Sequence, residues 1–532
     1  MPVRRGTDHC SRIIREEIVM TSAQIIIIVT IVAYLFGMLL IGVIFNRAGA
    51  ADTSDGFYIG GRSLGPLVTA MSAEASDMSS YLLMGLPGLA YLAGVAEVGW
   101  TAIGLAAGTY LNFLFVARRL RRYSEKLGAF TIPDFYSRRY NDRENTLSLV
   151  AALIIIIFFV PYTASGFKAV GTLFNSLFGI EYHMAMIIGA VIIVCYTTMG
   201  GFLAVSTTDL IQSIFMTIAL VIIVFFGIDK AGGMDAVVQN AKALPGYLNI
   251  TKGYDVASNS ASSYGFLSVV STLAWGLGYF GMPHILLRFM AIRNEKELVI
   301  SRRIASVWAA VSMCIAIFIG IIGYSVSVAG HIPMLNGSSA ESETIIIQMA
   351  NLMSQHSVIF ALAAGVILAG ILAATMSTAD SQLLAASSSV SEDLMQGFGR
   401  IKLTQQGKMI AARATVIAIA TVAIILAWNP NSSVFRVVSF AWAGFGATFG
   451  PTMLLALFWR RSNRQGAMAG LICGGVMIFV WKFGIARLGG AFAIYELLPA
   501  FIIALIADIV VSLATKEPSP VITKKFDEVN KK

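Results

Sequence analysis

Two acids and three serines lie together in the middle of an apolar stretch, LGPLVTAMSAEASDMSSYLLMGLPG, which runs from Leu64 to Gly88. The acids are Glu74 and Asp77. A charge at the centre of a bilayer is costly unless it faces a cavity or a partner, so these side chains are functional candidates. Small residues and Pro87 in the same stretch predict a discontinuous transmembrane helix, whose freed carbonyls can coordinate a cation. The alternative is a kinked helix whose polar side chains bond to neighbouring helices.

A second polar group lies between Gly370 and Asp393, in GILAATMSTADSQLLAASSSVSED. Four of its residues recur at i, i+3, i+4 and i+7, which aligns them on one helix face: Ala374, Ser377, Thr378 and Ser381. Hydroxyl and carbonyl oxygens are hard ligands, and a neutral stripe of them suits a monovalent ion that must also leave. Alternatively, the hydroxyls bond back to carbonyls of their own helix and hold no ion. A further acid, Asp209, follows a glycine pair that predicts a turn back into the membrane.

Three aromatic residues stand beside helix-distorting residues. Trp275 and Tyr279 are four residues apart, just ahead of Pro283, and Tyr162 follows Pro161. Aromatic side chains at helical spacing usually serve packing. Because glycine and proline nearby would open the helices, these three are also candidates for lining a pocket.

Composition assigns the chain to the integral membrane proteins. Of its 532 residues, 57% are hydrophobic and 13% are charged, and the mean hydropathy is +0.77. The apolar runs predict about thirteen transmembrane helices of ~20 residues. The run Thr344–Val390 is too long for one crossing, so it should include a surface helix before the membrane entry. The sequence has no phosphate-binding GxxxxGK[ST] loop, nucleophile–base pair or metal motif, which argues against a primary pump or an enzyme.

The net charge of +9 comes from basic residues in alternate short loops, above all Arg118–Arg143. This is the positive-inside pattern and not a nucleic-acid footprint, so no nucleic-acid partner is expected. It predicts that the basic loops are cytoplasmic and that the N-terminus is outside. We divide the chain into a polar N-terminal extension (1–19), a membrane domain (20–515) and a cytoplasmic C-terminal tail (516–532).

Several segments resemble the sodium/solute symporter family, and most of all its bacterial sodium/proline symporter branch. They are GGRSLG, ASDMSS, LLMGLPG, TIPDFYSRRY, GGFLAVSTTD, GLGYFGMPHILLRFM, MST and AWAGFGATFGP. The resemblance extends from about Gln24 to the last span. It implies an all-α membrane protein with a five-plus-five inverted-repeat core, a discontinuous first core helix and extra helices at both ends. It also implies a bacterial cytoplasmic-membrane protein that works as a monomer and imports L-proline, or a related amino acid, by alternating access. Sodium would be the coupling ion, with no other cofactor.

The resemblance also implies roles for residues that match the family's motifs. The sodium ligands would be the carbonyls of Ala75 and Met78 together with Ala374, Ser377 and Thr378. Asp77 would set sodium affinity, and Arg62 matches an arginine that precedes the broken helix. The substrate would be held near Tyr162, Trp275 and Tyr279, with Pro283 shaping the helix. A possible second cation site would involve Asp209 with Ser377 and Ser381, and Asp380, an acid added to the hydroxyl stripe, is a further candidate for it.

Three ionisable residues depart from that pattern: Glu74, Lys168 and Asp380. Because an isolated charge in a low-dielectric core is costly, we expect Lys168 to pair with Glu74 or Asp380. The alternative is that Lys168 extends along its stem to water. These departures leave open a proton-coupled or ion-independent transporter of the same fold. A transporter-like sensor without flux is less expected.

Overall fold

The structure, a computed structural model, describes residues 20–47 and 54–530, and most of them are helical. The predicted extension 1–19 lies outside the described residues. The α-helices of the first half are α1 (Ser22–Arg47), α2 (Ser54–Ile59), α3 (Pro66–Ser80), α4 (Leu86–Ala93), α5 (Val95–Leu111), α6 (Arg118–Leu127), α7 (Ile132–Arg139), α8 (Thr146–Phe178), α9 (Tyr182–Lys230) and α10 (Met234–Ala243). A short antiparallel hairpin follows, formed by β1 (Lys252–Asp255) and β2 (Ser260–Ser263).

The α-helices of the second half are α11 (Phe266–Leu273), α12 (Pro283–Ala291), α13 (Leu298–Val328), α14 (Ser339–Ser342), α15 (Ile345–Ser354), α16 (Val358–Ser388), α17 (Gln405–Leu426), α18 (Val434–Phe458), α19 (Arg464–Phe483), α20 (Leu497–Ala514) and α21 (Pro520–Asn530). Wider π-helical turns occur at Tyr81–Gly85, Asn112–Ala117 and Ser389–Phe398. Tighter 3₁₀ turns occur at Gly60–Arg62, Ala274–Phe280, Glu295–Glu297, Ile485–Leu488 and Gly490–Phe492.

The number of spans agrees with the sequence. Within the described residues, ten helices are long and apolar enough to cross a membrane, and the bent pair Phe266–Phe280 and Pro283–Ala291 gives an eleventh. Two further apolar segments are interrupted or short: residues 66–93, divided between α3 and α4, and Tyr182–Cys195 at the start of α9. With these two, the thirteen predicted spans are present. The extra helix predicted before α16 is α15, which is largely buried against α16 and is not a surface helix.

The spans form two sets of five. The first set comprises residues 66–93, α5 with its continuation α6, α8, and the two parts of α9; the second comprises α11 with α12, then α13, α16, α17 and α18. The remaining spans, α1, α19 and α20, lie outside both sets. Each span crosses the bundle once, so after five crossings the second set starts at the other end of the bundle from the first. The first span of each set is the interrupted one, so the breaks meet in the middle of the molecule.

Glycine and proline explain two of the interruptions. Gly201 has φ 62°, a conformation open to glycine, and it divides α9 where the sequence predicts a turn back into the membrane. Pro283 occupies the first turn of α12, where its missing N–H leaves no bond unmade, and the axis bends by 45° ahead of it.

The basic loops gather at one end of the bundle, which we call the basic face. Arg122 forms an ion pair with Glu295 there, and Arg464 lies 3.0 Å from Asp142. The tail helix α21 docks on this face, where Asp527 accepts two hydrogen bonds from Arg460, at 2.9 and 3.1 Å. That contact raises the pKa of the Arg460 guanidinium. The other end of the bundle is the opposite face.

Candidate functional site

The break between α3 and α4 is the centre of the site. Ser79 has φ 48° and ψ −167°, which ends the regular helix, and a π-helical turn follows at Tyr81–Gly85. A helix end leaves carbonyls without intrahelical partners, and here side chains of other helices reach them. The Ser377 hydroxyl donates to the Ala75 carbonyl at 2.7 Å, and the Tyr162 hydroxyl donates to the Asp77 carbonyl at 3.1 Å. The interruption predicted from the sequence is confirmed, although it falls at Ser79 and not at Pro87.

Four of the five predicted sodium-ligand residues meet at one point. The Ser377 hydroxyl lies 3.2 Å from the Ala374 carbonyl as well as 2.7 Å from that of Ala75, and the Thr378 hydroxyl lies 3.2 Å from the Ala374 carbonyl. All four are buried. The carbonyl of the fifth, Met78, accepts the Tyr81 N–H. The Thr378 hydroxyl contacts a carbonyl four residues earlier on its own helix, a bond that needs no ion. The Ser377 hydroxyl instead contacts the carbonyl of Ala75, a residue 302 positions away on another helix.

Asp77 lies beside two of the predicted substrate residues. The Tyr279 hydroxyl donates to the Asp77 carboxylate, and the Tyr162 hydroxyl donates to the carbonyl of the same residue. Among the described residues, no lysine, arginine or histidine forms an ion pair with Asp77. The Asn112 side chain fixes this arrangement by donating to the Tyr279 carbonyl at 2.9 Å.

Trp275 lies apart from these tyrosines. Its ring stacks on Tyr495 at 5.2 Å between centroids and lies 5.7 Å from the ring of Tyr81. Its carbonyl accepts the indole N–H of Trp442 at 2.8 Å. Gly278 allows this approach, because a Cβ there would lie 2.0 Å from that indole nitrogen. The segment around Trp275 is a 3₁₀ turn, so the α-helical spacing assumed for Trp275 and Tyr279 is wrong.

A cavity of about 1440 Å³ lies above this aromatic layer. It reaches toward the opposite face, since Ser338 and Asn431 of the connections there line it, and Trp275 lies along it. Its charged lining residues are Glu97, Lys168, Glu343, Arg436, Lys482 and Glu496. Tyr162 and Tyr279 are buried and do not line it. Of the three predicted aromatic residues, only Trp275 is therefore exposed to this cavity.

The predicted partners of Lys168 are wrong. Its ammonium lies 4.0 Å from Glu343, and both side chains are 3% exposed. Glu343 caps α18 as well, because it accepts from the Ser433 hydroxyl at 2.6 Å and from the Val434 and Phe435 N–H groups at 2.9 and 3.1 Å. Lys168 turns toward the cavity, where this helix-capping acid is the nearest carboxylate, and not toward the stripe on α16. Glu74 stays fully buried, and neither of its carboxylate oxygens has a hydrogen-bond partner among the described residues.

The possible second cation position contains an arginine. The Arg288 guanidinium is 1% exposed and donates to Asp209 at 3.1 Å, to the Ser72 hydroxyl at 2.9 Å and to the Ser381 hydroxyl at 2.5 Å. The Ser381 hydroxyl in turn lies 3.3 Å from Asp380. Of the four residues predicted for this position, Asp209, Asp380 and Ser381 are thus brought together, with the Arg288 guanidinium between Asp209 and Ser381. Ser377 bonds to the Ala75 carbonyl instead.

Two residues of this arrangement, Arg288 and Glu343, were missed by sequence reasoning, although a signal existed for one of them. Arg288 lies within the predicted span Tyr264–Met290, so the rule that flagged Lys168 would also have flagged it. Glu343 directly precedes an apolar run and is indistinguishable from a loop residue in the sequence.

Arg62, predicted to match the family's arginine, lies at the basic face and donates to the carbonyls of Met290 and Ala129 at 2.6 and 2.7 Å.

The basic face has a smaller cavity of about 420 Å³. Asp134, Glu392 and Asp393 are among its lining residues, together with Arg138. Burial raises the pKa of Asp134, and the neighbouring Arg138 opposes that rise. This cavity and the larger one thus lie at opposite ends of the bundle.

Comparison with known proteins places this geometry in a family. The model of the sodium:solute symporter family matches residues 57–474. The chain belongs to the sodium:solute symporter family. It is 39% identical to sodium/proline symporters of Staphylococcus aureus strains USA300 and JH9 over 508 residues, 94% of this chain and 95% of each relative. A chain of this family is a membrane transporter of a small solute and not an enzyme.

Solved structures of other transporters share the fold. A Na⁺-coupled sialic acid symporter matches with a TM-score of 0.75 at 19% identity, over 93% of this chain and 99% of that one. The nucleobase–cation symporter Mhp1 matches with a TM-score of 0.51 at 14% identity, over 88% of this chain and 98% of that one. The inverted-repeat architecture of this symporter is therefore shared with transporters of unrelated solutes.

Proposed function

We propose that this protein imports L-proline, or a closely related amino acid, together with sodium by alternating access. The observation that carries the proposal is the bond from the Ser377 hydroxyl of α16 to the Ala75 carbonyl at the break of α3, next to the buried carboxylate of Asp77. An oxygen cluster that joins the two helices is suited to a small monovalent cation. Family membership and the sodium/proline symporters at 39% identity support the substrate.

In this proposal the sodium ligands are the oxygens of Ala75, Met78, Ala374, Ser377 and Thr378. A bound sodium ion would neutralise Asp77, for which the described residues offer no ion-pair partner. The Tyr162 hydroxyl bonds to the Asp77 carbonyl, and the Tyr279 hydroxyl bonds to the Asp77 carboxylate. Ion binding at this break can therefore change the positions of the two tyrosines that would hold the substrate. Trp275 would receive the pyrrolidine ring from the cavity.

We further propose that the basic face is cytoplasmic, that the opposite face with its larger cavity is outside, and that residues 516–532 form a cytoplasmic tail. The host membrane would be the bacterial cytoplasmic membrane. The protein would work as a monomer and need no cofactor besides the coupling ion.

A proton-coupled transporter of the same fold is the second candidate. Glu74 favours it, because a fully buried carboxylate whose oxygens lack hydrogen-bond partners among the described residues is a possible proton carrier.

The test is labelled proline uptake into proteoliposomes under an inward sodium gradient, an inward proton gradient, or neither. We expect uptake only with sodium, and competition by proline analogues but not by sugars. Trp275→Ala should weaken the apparent proline affinity by about 1–3 kcal/mol, while Trp308→Ala, on α13 and outside the cavity lining, should not change it. Uptake driven equally by protons alone would contradict sodium coupling and favour the second candidate.

A further inference from the structure

The Lys168 ammonium is buried beside the larger cavity without a close acceptor. Its side chain is 3% exposed, and Glu343, its ion-pair partner, lies 4.0 Å away, which is too far for a hydrogen bond. Among the described residues, no other group forms a hydrogen bond or an ion pair with this ammonium. An ammonium has three N–H donors, and burying them without acceptors is costly. Lys168 therefore has donors available to a ligand in the cavity that it lines.

Glu343 is held by the start of α18. It accepts from the Ser433 hydroxyl at 2.6 Å and from the N–H groups of Val434 and Phe435 at 2.9 and 3.1 Å. A carboxylate at a helix N-terminus is stabilised by such donors and by the helix dipole. Glu343 is thus fixed as a cap, and it balances the charge of Lys168 at a distance without accepting from the Lys168 N–H groups.

The other basic residues of the cavity lining have different surroundings. Lys482 donates to Glu496 at 2.6 Å, so its ammonium has a direct acceptor. Arg436 is exposed, which lets water hydrate its guanidinium, and its charge interacts with that of Glu97. Among the described residues, three acids and three bases line the cavity, and together they carry no net charge. A neutral lining around a buried ammonium with available donors suits a zwitterion, whose carboxylate can pair with Lys168.

Lys168 lies on the face of α8 that lines the cavity. Pro161, Ala164, Ser165 and Lys168 follow the spacing i, i+3, i+4 and i+7, and all four are lining residues. Lys168 is seven residues beyond Pro161, which is about 10 Å along the helix axis, in the direction of the opposite face. Trp275 lines the same cavity. The ammonium and the Trp275 ring therefore adjoin one continuous space.

An aromatic surface adjoins the Lys168–Glu343 pair. Phe435, whose N–H bonds to Glu343, is itself a lining residue. The Phe435 ring lies 5.5 Å from the ring of Trp275 and 5.6 Å from that of Tyr81, between centroids. An amino acid with an apolar ring has two matching parts, a carboxylate for the ammonium and an apolar surface for these rings.

We propose that the Lys168 ammonium binds the carboxylate of the transported amino acid in this cavity and so selects for solutes that carry one. The proposal rests on the proposed function and deepens it, because it names the residue that recognises the charged group of the solute. Glu343 keeps the ammonium near the aromatic surface, and the solute's carboxylate adds the hydrogen bonds that Glu343 does not provide. A solute without a carboxylate would leave those donors unpaired.

The test is competition against labelled proline bound to the purified full-length protein in sodium, with unlabelled L-proline and L-proline amide as the two probes. The amide keeps the ring and lacks the carboxylate. We expect the natural sequence to prefer proline and Lys168→Met to reduce that preference roughly tenfold. Lys168→Arg, which keeps donors for a carboxylate, should retain most of it. Lys482→Met is the matched control, because Lys482 has its own acceptor, and it should keep the natural preference.

If Lys168→Met weakens proline and the amide equally, or weakens neither, the proposal is overturned, since loss of a purely structural lysine would not distinguish the two probes. A drop of the same size in Lys482→Met would overturn it too, because the charge of the whole cavity would then be responsible.

Should Lys168→Met not be recovered folded, Glu343→Gln decides. It removes the competing carboxylate, so the preference for proline over the amide should stay or increase, and a decrease would contradict the proposal. A natural sequence that binds no proline in sodium would refute the proposed function itself, which is a distinct outcome.

Discussion

At the scale of single residues, the hydroxyls of α16 differ in what they contact. Ser377 reaches across to the Ala75 carbonyl, whereas Thr375 bonds only to the carbonyl of Ile371, four residues back on its own helix, at 2.9 Å. Two hydroxyls of the same helix, both buried, thus have different surroundings. Thr378 makes the same kind of i−4 bond as Thr375, so Thr375, which is not a proposed ligand, is a matched control for Thr378.

Thr378→Val should raise the sodium concentration for half-maximal proline uptake roughly tenfold, which corresponds to about 1.4 kcal/mol. The substitution keeps the shape of the side chain and removes the proposed ligand oxygen. The measurement is uptake against sodium concentration at fixed proline. Thr375→Val is the control and should leave the sodium dependence unchanged. If both variants shift the sodium dependence equally, the hydroxyl stripe of α16 serves helix packing and holds no ion.

Tyr279→Phe should weaken both sodium and proline apparent affinities. It removes the hydroxyl that donates to the Asp77 carboxylate, and a hydrogen bond to a charged group contributes about 1.5–3 kcal/mol. Tyr247→Phe is the control, because Tyr247 is equally buried but bonds to the carbonyls of Ala90 and Tyr91, at 2.8 Å each. If Tyr279→Phe retains wild-type affinities for both ligands, the tyrosine does not connect substrate and ion.

At the scale of elements, the positions of the helix breaks were easier to predict from the sequence than the side chains that meet at those breaks. Pro283 and Gly201 impose local backbone conformations, so their effect was visible without the fold. The break at Ser79 has no such residue, and a serine with positive φ is held there by its tertiary surroundings. The polar residues around it predicted that the helix is discontinuous but not the residue at which it breaks.

Partner choice was the least predictable part of the site. Lys168 was expected to meet Glu74 or Asp380, because all three are charges in the same core. The sequence does not tell which way a side chain faces across three packed helices. It also gave no reason to group Glu343, an acid at the end of a loop, with an intramembrane lysine, since only the fold brings the start of α18 beside α8.

A double-mutant cycle should detect coupling between Lys168 and Glu343. We expect Lys168→Met and Glu343→Gln to show a coupling of about 1 kcal/mol or more in the free energy of unfolding, as residues in contact do. Lys168→Met alone should cost less than the about 3–5 kcal/mol typical of a broken buried pair, because Glu343 keeps three hydrogen bonds.

The measurement is denaturation of the purified variants in mixed micelles. A second cycle with Glu341→Gln, on the neighbouring exposed acid, serves as the control and should show no coupling. A third cycle, with Glu74→Gln, should also show no coupling. Coupling to Glu74 as strong as that to Glu343 would contradict the pairing seen here.

At the scale of the whole molecule, composition and periodicity predicted the class and the number of spans. These properties depend on the membrane and on helix geometry, which act on every span alike. The family resemblance predicted which of the dispersed residues meet at the breaks, and the oxygens of Ala75, Ala374, Ser377 and Thr378 do meet. The partners of Arg288 could be assigned only from the fold, because its four contacts come from four different segments of the chain.

The arrangement also explains why ion and solute should act together. The proposed ion ligands belong to α3 and α16, and the tyrosines that hold Asp77 belong to α8 and to the 3₁₀ turn before α12. An ion that draws α3 and α16 together would position Asp77 between Tyr162 and Tyr279. Coupling between two ligands is reciprocal in free energy, so each must raise the affinity of the other by the same factor.

The most direct measurement is the dissociation constant of proline for the purified protein at low and at saturating sodium, with potassium keeping the ionic strength constant. We expect sodium to tighten proline binding at least about fivefold, which corresponds to a coupling of roughly 1 kcal/mol. We also expect proline to tighten sodium binding by the same factor, and Thr378→Val to need roughly tenfold more sodium for the same tightening of proline binding. Proline binding that does not change between sodium and potassium would contradict the central claim that ion and substrate meet at the break of α3.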